Sequence, residues 1–394
     1  MLAINFESGK GIWAEGEDAD KLDKNHFGKL SNGKLWLEIE EALFLMGFQN
    51  AVCRSEGSEL SFNGLAAHFA KQEKNLFVRF NAYRDWRDRG LVIKRLEAFS
   101  GSKEAHGAKK YPTAPLRQPS KVSRLFWYSD SMFAVEEDEE VGRELFENYW
   151  LGQYGIYKQA RGDLLKLSSL ETIFLAKHFG FKVTDVASGR ELGHAAILEQ
   201  LAAKREYIGH LYGVYEGWRL AGYVVKTGFK FGSHFRIYFP GAGPSKGGKW
   251  VHSKHVLHVF PKEQKLLISE WARVVRVAHS VKKTFILAIP KLAEKDYLEY
   301  GSHFLAFRRK REKGNLVRET PSDGPRYLML AVSEDEHLGG LELASLLKKA
   351  HDLGLELLLS ITDRETSVTY YVLKEISLDP DSSYSYYEIE WMKP

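Results

Sequence analysis

The chain has 394 residues, of which 44% are hydrophobic and 13% aromatic; that is enough apolar material for several buried cores and excludes a disordered chain. Its formal net charge is only +4, so a nucleic-acid partner has to be argued from local basic patches and not from the total. The single cysteine, Cys53, excludes an intramolecular disulfide and a cysteine-based zinc site. No stretch approaches the roughly 18 apolar residues of a membrane span, and the first residues lack a basic segment followed by an apolar run. A cytoplasmic protein with no membrane partner is the expectation.

At about 100–200 residues per domain, this length implies several units, and the chain carries internal repeats that define them. Near the start, residues 35–45 (LWLEIEEALFL) resemble residues 165–175 (LKLSSLETIFL), each a short strand feeding a helix with Glu41 or Glu171 early in it. Residues 83–94 (YRDWRDRGLVIK) match residues 215–226 (YEGWRLAGYVVK) at one constant offset. In both, aromatics at i and i+3 face a core, a glycine ends the helix in a left-handed conformation, and an apolar run begins a strand.

Between these repeats, residues 97–122 (EAFSGSKEAHGAKKYPTAPLRQPSKV) show no periodicity and have the composition of a linker, expected to be exposed and mobile. The acidic run 136–140 reads as a solvated turn or a helix start. Farther on, Trp271, Val274, Val275 and Ala278 form an i, i+3, i+4, i+7 stripe that recurs as Leu343, Leu346, Leu347 and Ala350. Each stripe leads into an apolar strand, 284–289 or 356–361, and each is preceded by one, 255–260 or 327–332. The basic stretch 308–323 reads as a connector.

These repeats predict an α+β protein whose half-units are arranged N-N-C-C. The divisions are an N-type structural unit over 1–96, the linker 97–122, an N-type domain of a catalytic unit over 123–226, its catalytic C-type domain over 227–300, and a non-catalytic C-type unit over 301–394. The outer two units fold together as a split pseudo-subunit.

Chemistry concentrates in the third unit, 227–300. Metal-free RNA cleavage needs a base for the 2′-hydroxyl, an acid for the departing 5′-oxygen and positive charge for the phosphorane. Tyr238 at a strand end, His252 at the opening of the next strand and Lys283 after a helix can supply one each. A glycine- and lysine-rich loop, 241–250, lies between the first two and suits close approach to a phosphate backbone. Each residue also has an ordinary structural role open to it: a half-buried strand tyrosine, a solvated histidine, a lysine at a helix C-terminus. A His252, His255 and His258 metal cluster is disfavoured because 255 and 258 point to opposite faces of a strand and no carboxylate or cysteine accompanies them. His279 and His351 coincide in the two C-type units and are expected to pack or cap helix ends. In the last unit Gly324 stands at the place of His252, Leu355 at that of Lys283 and Phe307 at that of Tyr238, so one copy is catalytic and the other architectural.

At residues 225–238 (VKTGFKFGSHFRIY), 251–254 (VHSK) and 276–283 (RVAHSVKK) the chain resembles the archaeal tRNA-splicing endonuclease family. The unit order is similar to that family's three-unit form, which works as a homodimer. The resemblance implies cleavage of precursor tRNA at bulge-helix-bulge junctions, giving 2′,3′-cyclic phosphate and 5′-hydroxyl ends with no metal or other cofactor, and no DNA partner. It places base, acid and charge stabiliser on Tyr238, His252 and Lys283. It also implies that Arg276, with Trp391 as the second candidate, grips a flipped bulge base, and that Lys158 in a longer loop touches RNA. An acidic loop at 333–337 is expected to enter a basic pocket on a neighbouring unit. A metal-dependent nuclease and a non-catalytic RNA-binding scaffold are the rival classes.

Overall fold

In the computed structural model the described residues are 2–96, 99, 101, 107–155, 161–246, 249–299, 301–378 and 382–394. Two small sheets, each with its own helices, flank one long sheet. The first small sheet runs in the order Lys29–Ser31, Lys34–Leu37, Gly11–Glu15, Ala3–Glu7, Val52–Ser55, Ser58–Leu60. The second runs Leu165–Ser168, Phe133–Glu136, Arg124–Tyr128, Lys182–Asp185, Glu191–Leu192. Both are antiparallel meanders with one parallel pair, Ala3–Glu7 with Val52–Ser55 and Arg124–Tyr128 with Lys182–Asp185. The parallel crossover in each is made by a helix, Ile39–Phe48 or Ser169–His178, that starts in a capping box closed by Glu41 or Glu171. The helices Leu76–Asp88 and Ile208–Leu220 bury Tyr83 and Trp86, and Tyr215 and Trp218, as the i, i+3 spacing predicts. Gly90 and Gly222, just past these helices, take φ values of +75° and +90°.

The long sheet joins everything. Its order is Val224–Thr227, Phe235–Tyr238, His255–Val259, Thr284–Pro290, Tyr384–Met392, Val368–Ser377, Glu356–Thr362, Tyr327–Ser333, Phe304–Ala306, Ile93–Arg95. The central antiparallel hairpin, Val368–Ser377 with Tyr384–Met392, separates two four-strand sets of matching order. In each set a parallel pair encloses a helix: His255–Val259 with Thr284–Pro290 around Ile268–Ser280, and Tyr327–Ser333 with Glu356–Thr362 around Gly340–Asp352. One core lies between these two helices and the sheet; two others lie on its opposite face, under the helices Ile208–Leu220 and Leu76–Asp88. Strands covered on both faces must be apolar throughout, which explains the unbroken runs FILAI and YLMLAV.

The described part of the linker is largely exposed, as expected, but it is docked on the long sheet rather than hanging as a free tether. Lys109–Lys110 pairs in parallel with Ile376 and Ser377, and Tyr111 is buried against Trp218, Tyr223 and His255. The Tyr111 hydroxyl and the Lys109 ammonium both donate to buried Glu388, and the Ala114 N–H donates to the Ala221 carbonyl. Local composition could not reveal this, because the partners lie more than a hundred residues away. The run 136–140 does open a helix, Glu139–Tyr149 capped by Asp138, but Glu136 is buried and accepts from Ser123. The connector 308–323 holds a two-stranded hairpin, Arg309–Glu312 with Asn315–Arg318. In the acidic turn at 333–337, Asp335 is paired with Arg364 at 2.8 Å and Glu336 accepts from Asn75, so much of its charge is engaged within the chain.

Candidate active site

Lys283 is placed by a chain reversal. The helix Ile268–Ser280 ends at Val281, Lys282 takes the left-handed conformation (φ +56°), and the Lys283 N–H returns to the Ala278 carbonyl at 2.9 Å. Lys282 is left exposed, whereas Lys283 is half-buried. The Lys283 ammonium donates to the Ser253 carbonyl at 2.5 Å and to Ser253 Oγ at 2.8 Å, and stands 5.3 Å from the centroid of the Phe231 ring. One residue along, the Thr284 N–H donates to the Lys254 carbonyl at 3.1 Å.

His252 is exposed on the stretch leading into the strand His255–Val259, directly before buried Ser253. The ammonium of Lys283 is therefore anchored to the residue beside the imidazole. Tyr238 ends the neighbouring strand, one residue beyond Ile237, the register partner of His255. Its ring lies 4.7 Å from that of Trp150 and is buried, not open like His252. Within the loop 241–250, residues 247–248 lie outside the described residues, as does Lys158.

The other histidines of this segment are held by packing. His255 rests against Tyr111 and Phe239, and His258 against His234 with ring centroids 4.2 Å apart. Burial pushes His255 down to about 4 and His258 to about 3, so both are neutral at ordinary pH. His279 Nε2 faces the Ile389 carbonyl at 3.2 Å, and His351 Nδ1 faces Glu375 at 3.1 Å; both are helix-end contacts.

Arg276 is exposed on the same helix as His279, and its charge acts on Tyr371, where it partly offsets the upward push of burial on that phenol. Tyr371 is the register partner of Trp391, so the two share a face of the central hairpin, and Trp391 is half-exposed with Lys393 5.2 Å from its ring. Arg276 and Trp391 thus flank one residue. A cleft of about 620 Å³, lined by Trp150, Lys166, Glu171, Arg205, Lys226 and Arg236 among others, opens between the second small sheet and the long one. In it Lys226 is paired with buried Glu171 at 2.9 Å.

Ser253, Phe231 and Trp150 were not singled out by sequence reasoning. Ser253 had a signal, since it directly follows His252, but a lone serine says nothing of a lysine thirty residues on.

A family model described as the catalytic C-terminal domain of tRNA intron endonuclease matches residues 209–297, which contain Tyr238, His252 and Lys283. The tRNA-splicing endonuclease of Pyrococcus abyssi is 33% identical over 187 residues, 48% of this chain and 99% of that protein. That of Hyperthermus butylicus is 34% identical over 164 residues, 40% of this chain and 84% of that protein. The chain belongs to the tRNA-splicing endonuclease family. A longer member, from Methanosarcina mazei, is 24% identical over 338 residues, 72% of this chain and 93% of that protein. Membership makes this splicing endonuclease a nuclease of tRNA maturation, and the residues described above are its candidate machinery. Among the described residues no helix is long and apolar enough to cross a membrane.

Proposed function

We propose that the chain excises introns from precursor tRNA at bulge-helix-bulge junctions without a metal, leaving 2′,3′-cyclic phosphate and 5′-hydroxyl ends. The observation that carries this reading is the bond from Lys283 to Ser253, which anchors an ammonium group beside the imidazole of His252 inside the family-matched segment. Tyr238 takes the proton of the 2′-hydroxyl, whose oxygen attacks phosphorus; Lys283 faces the nonbridging oxygens as charge builds; His252 gives its proton to the 5′-oxygen as that bond breaks. The reading requires the buried Tyr238 phenol to become accessible when RNA binds. Arg276 and Trp391 hold the bulge base, and Lys158 contacts RNA.

The working assembly in this reading is a homodimer of chains with N-N-C-C half-units, divided at 96, 122, 226 and 300. Support comes from the matching strand order on either side of the central hairpin, and from a relative of which 99% aligns with only 48% of this chain. Sedimentation of the pure protein tests the dimer. His252→Ala is expected to lose cleavage almost completely while keeping precursor tRNA affinity, with wild-type cleavage undiminished in EDTA and giving cyclic-phosphate ends. Unaltered cleavage by His252→Ala removes that residue from the mechanism; loss of wild-type activity in EDTA removes the metal-free chemistry.

A further inference from the structure

The loop between the strands Phe235–Tyr238 and His255–Val259 carries His252. Its counterpart in the other half of the sheet, between Phe304–Ala306 and Tyr327–Ser333, is the hairpin Arg309–Glu312 with Asn315–Arg318. The segment 308–319 holds six lysines and arginines against two glutamates, an excess equal to the +4 of the entire chain. Some of this charge is engaged: Arg308 is 3.6 Å from Glu319, Lys310 is 2.5 Å from Asp323, and Arg309 donates to the Arg89 carbonyl. Among the described residues, Arg311, Lys313 and Arg318 have no carboxylate partner, and the first two are exposed. At the hairpin's base Arg318 joins Lys21 and Arg87 around a cleft of about 370 Å³. Burial holds His26 there below its ordinary value, and the nearby charges of Arg318, Lys94 and Arg87 push it the same way. The first half-unit and the last therefore build one cationic surface where the catalytic half has its active-site loop.

We infer that this hairpin and the cleft at its base form a second RNA-backbone site, which holds phosphates of the substrate away from the scissile bond. The inference rests on the proposed cleavage of precursor tRNA, and sheet topology sets the distance. Three successive antiparallel pairings separate Thr284–Pro290 from Glu356–Thr362, so equivalent strands of the two halves run in opposite directions and their loops leave opposite ends of the sheet. Seven strand spacings lie between Phe235–Tyr238 and Phe304–Ala306, or roughly 34 Å. No single bulge reaches both ends; a folded precursor tRNA does. Phosphate contacts of this kind set affinity and register without reading sequence.

The test is a full-length triple variant, Arg311→Ser, Lys313→Ser and Arg318→Ser, compared with the parent for binding and cleavage of a whole precursor tRNA and of a short RNA carrying only the cleavage junction. For the whole precursor, affinity is expected to fall roughly tenfold at moderate ionic strength and the slope of log K against log salt to shrink by about 2–3. Cleavage at saturating RNA and binding of the short RNA are expected to stay unchanged. Unchanged affinity and salt slope on the whole precursor overturn the inference. Equal losses on both RNAs also overturn it, by moving the hairpin to the cleavage site. A changed sedimentation coefficient with an unchanged salt slope replaces RNA with a second copy of the chain, to which exposed Leu316 would contribute. The cleavage reading itself fails separately, through His252→Ala.

Discussion

At Ser253 the chain contains its own control. The equivalent place in the other half of the long sheet is Pro325, and the equivalent of Lys283 is Leu355, so both members of the hydrogen-bonded pair are absent there together. The backbone around them is unchanged. The Glu356 N–H donates to the Arg326 carbonyl at 3.2 Å as Thr284 does to Lys254 at 3.1 Å, and Leu355 N–H to Ala350 as Lys283 does to Ala278. The fold therefore does not need the pair, and its presence in one copy alone points to chemistry. Ser253 acts as a positioning residue, holding the ammonium by a hydrogen bond to a charged donor worth about 1.5–3 kcal/mol. Ser253→Ala removes the Oγ acceptor and leaves the carbonyl one. It is expected to slow cleavage at saturating RNA by roughly tenfold to a hundredfold with KM near wild type, and to lower stability by no more than that hydrogen bond is worth. In a Lys283→Ala background the same change should cost nothing more; an equal further loss would mean that Ser253 does not work through Lys283. The sequence singled out His252 and Lys283 as candidates because Gly324 and Leu355 stand at the matching offset. Burial of Tyr238 against Trp150 was not, since it depends on a helix end some ninety residues upstream.

At the scale of elements, register in each half of the sheet is set by a histidine that must stay neutral. The His234 Nδ1 accepts the Val259 N–H at 3.0 Å, and its counterpart His303 accepts the Ala331 N–H at 3.1 Å. An imidazolium has no lone pair to accept with. Burial pushes His234 and His303 down to about 4, and His258, packed on His234, to about 3. In the unfolded chain these groups titrate near 6.5, so above that pH they are neutral in both states. As pH falls through 6.5 the unfolded chain takes up protons that the folded one refuses, and stability is lost progressively down to about pH 4, by up to roughly 3 kcal/mol per histidine. Thermal midpoints measured from pH 7 to pH 4 should drop steeply in the wild type and less steeply in His258→Leu, which removes a buried imidazole without removing an acceptor of a backbone N–H. Parallel curves would assign the acid sensitivity to other groups. The paired elements themselves were readable from period and caps, because each helix stripe and capping glycine is a local signal. The short helix Gly16–Lys24, with only Ala19 and Leu22 buried in a polar run, gives almost no such signal.

On the scale of the whole molecule, the repeats showed which segments resemble each other but not how a strand near residue 93 comes to close the far edge of a sheet made mostly from residues 224–392. That pairing depends on non-local contacts that composition does not encode, and the same holds for the Lys109 to Tyr111 segment bound to Glu388. Once formed, these contacts leave neither half an independent boundary. The central hairpin contributes Ile389 and Leu373 to a core built also by both flanking helices, through Trp271 and Val275 on one side and Leu343 and Leu347 on the other. A cavity there should weaken both halves at once. Ile389→Ala removes a fully buried side chain and is expected to cost about 2–5 kcal/mol. If the sheet couples the halves, urea unfolding of the variant remains one transition with a lower midpoint and an unchanged slope, by tryptophan fluorescence and by far-ultraviolet circular dichroism alike. Each small sheet carries its own tryptophans, Trp13 and Trp36 in the first and Trp127 in the second, so independent melting would separate the two signals. Two resolved transitions, with only one displaced by the substitution, would show that the long sheet is a junction between autonomous halves and not the common core of one cooperative unit.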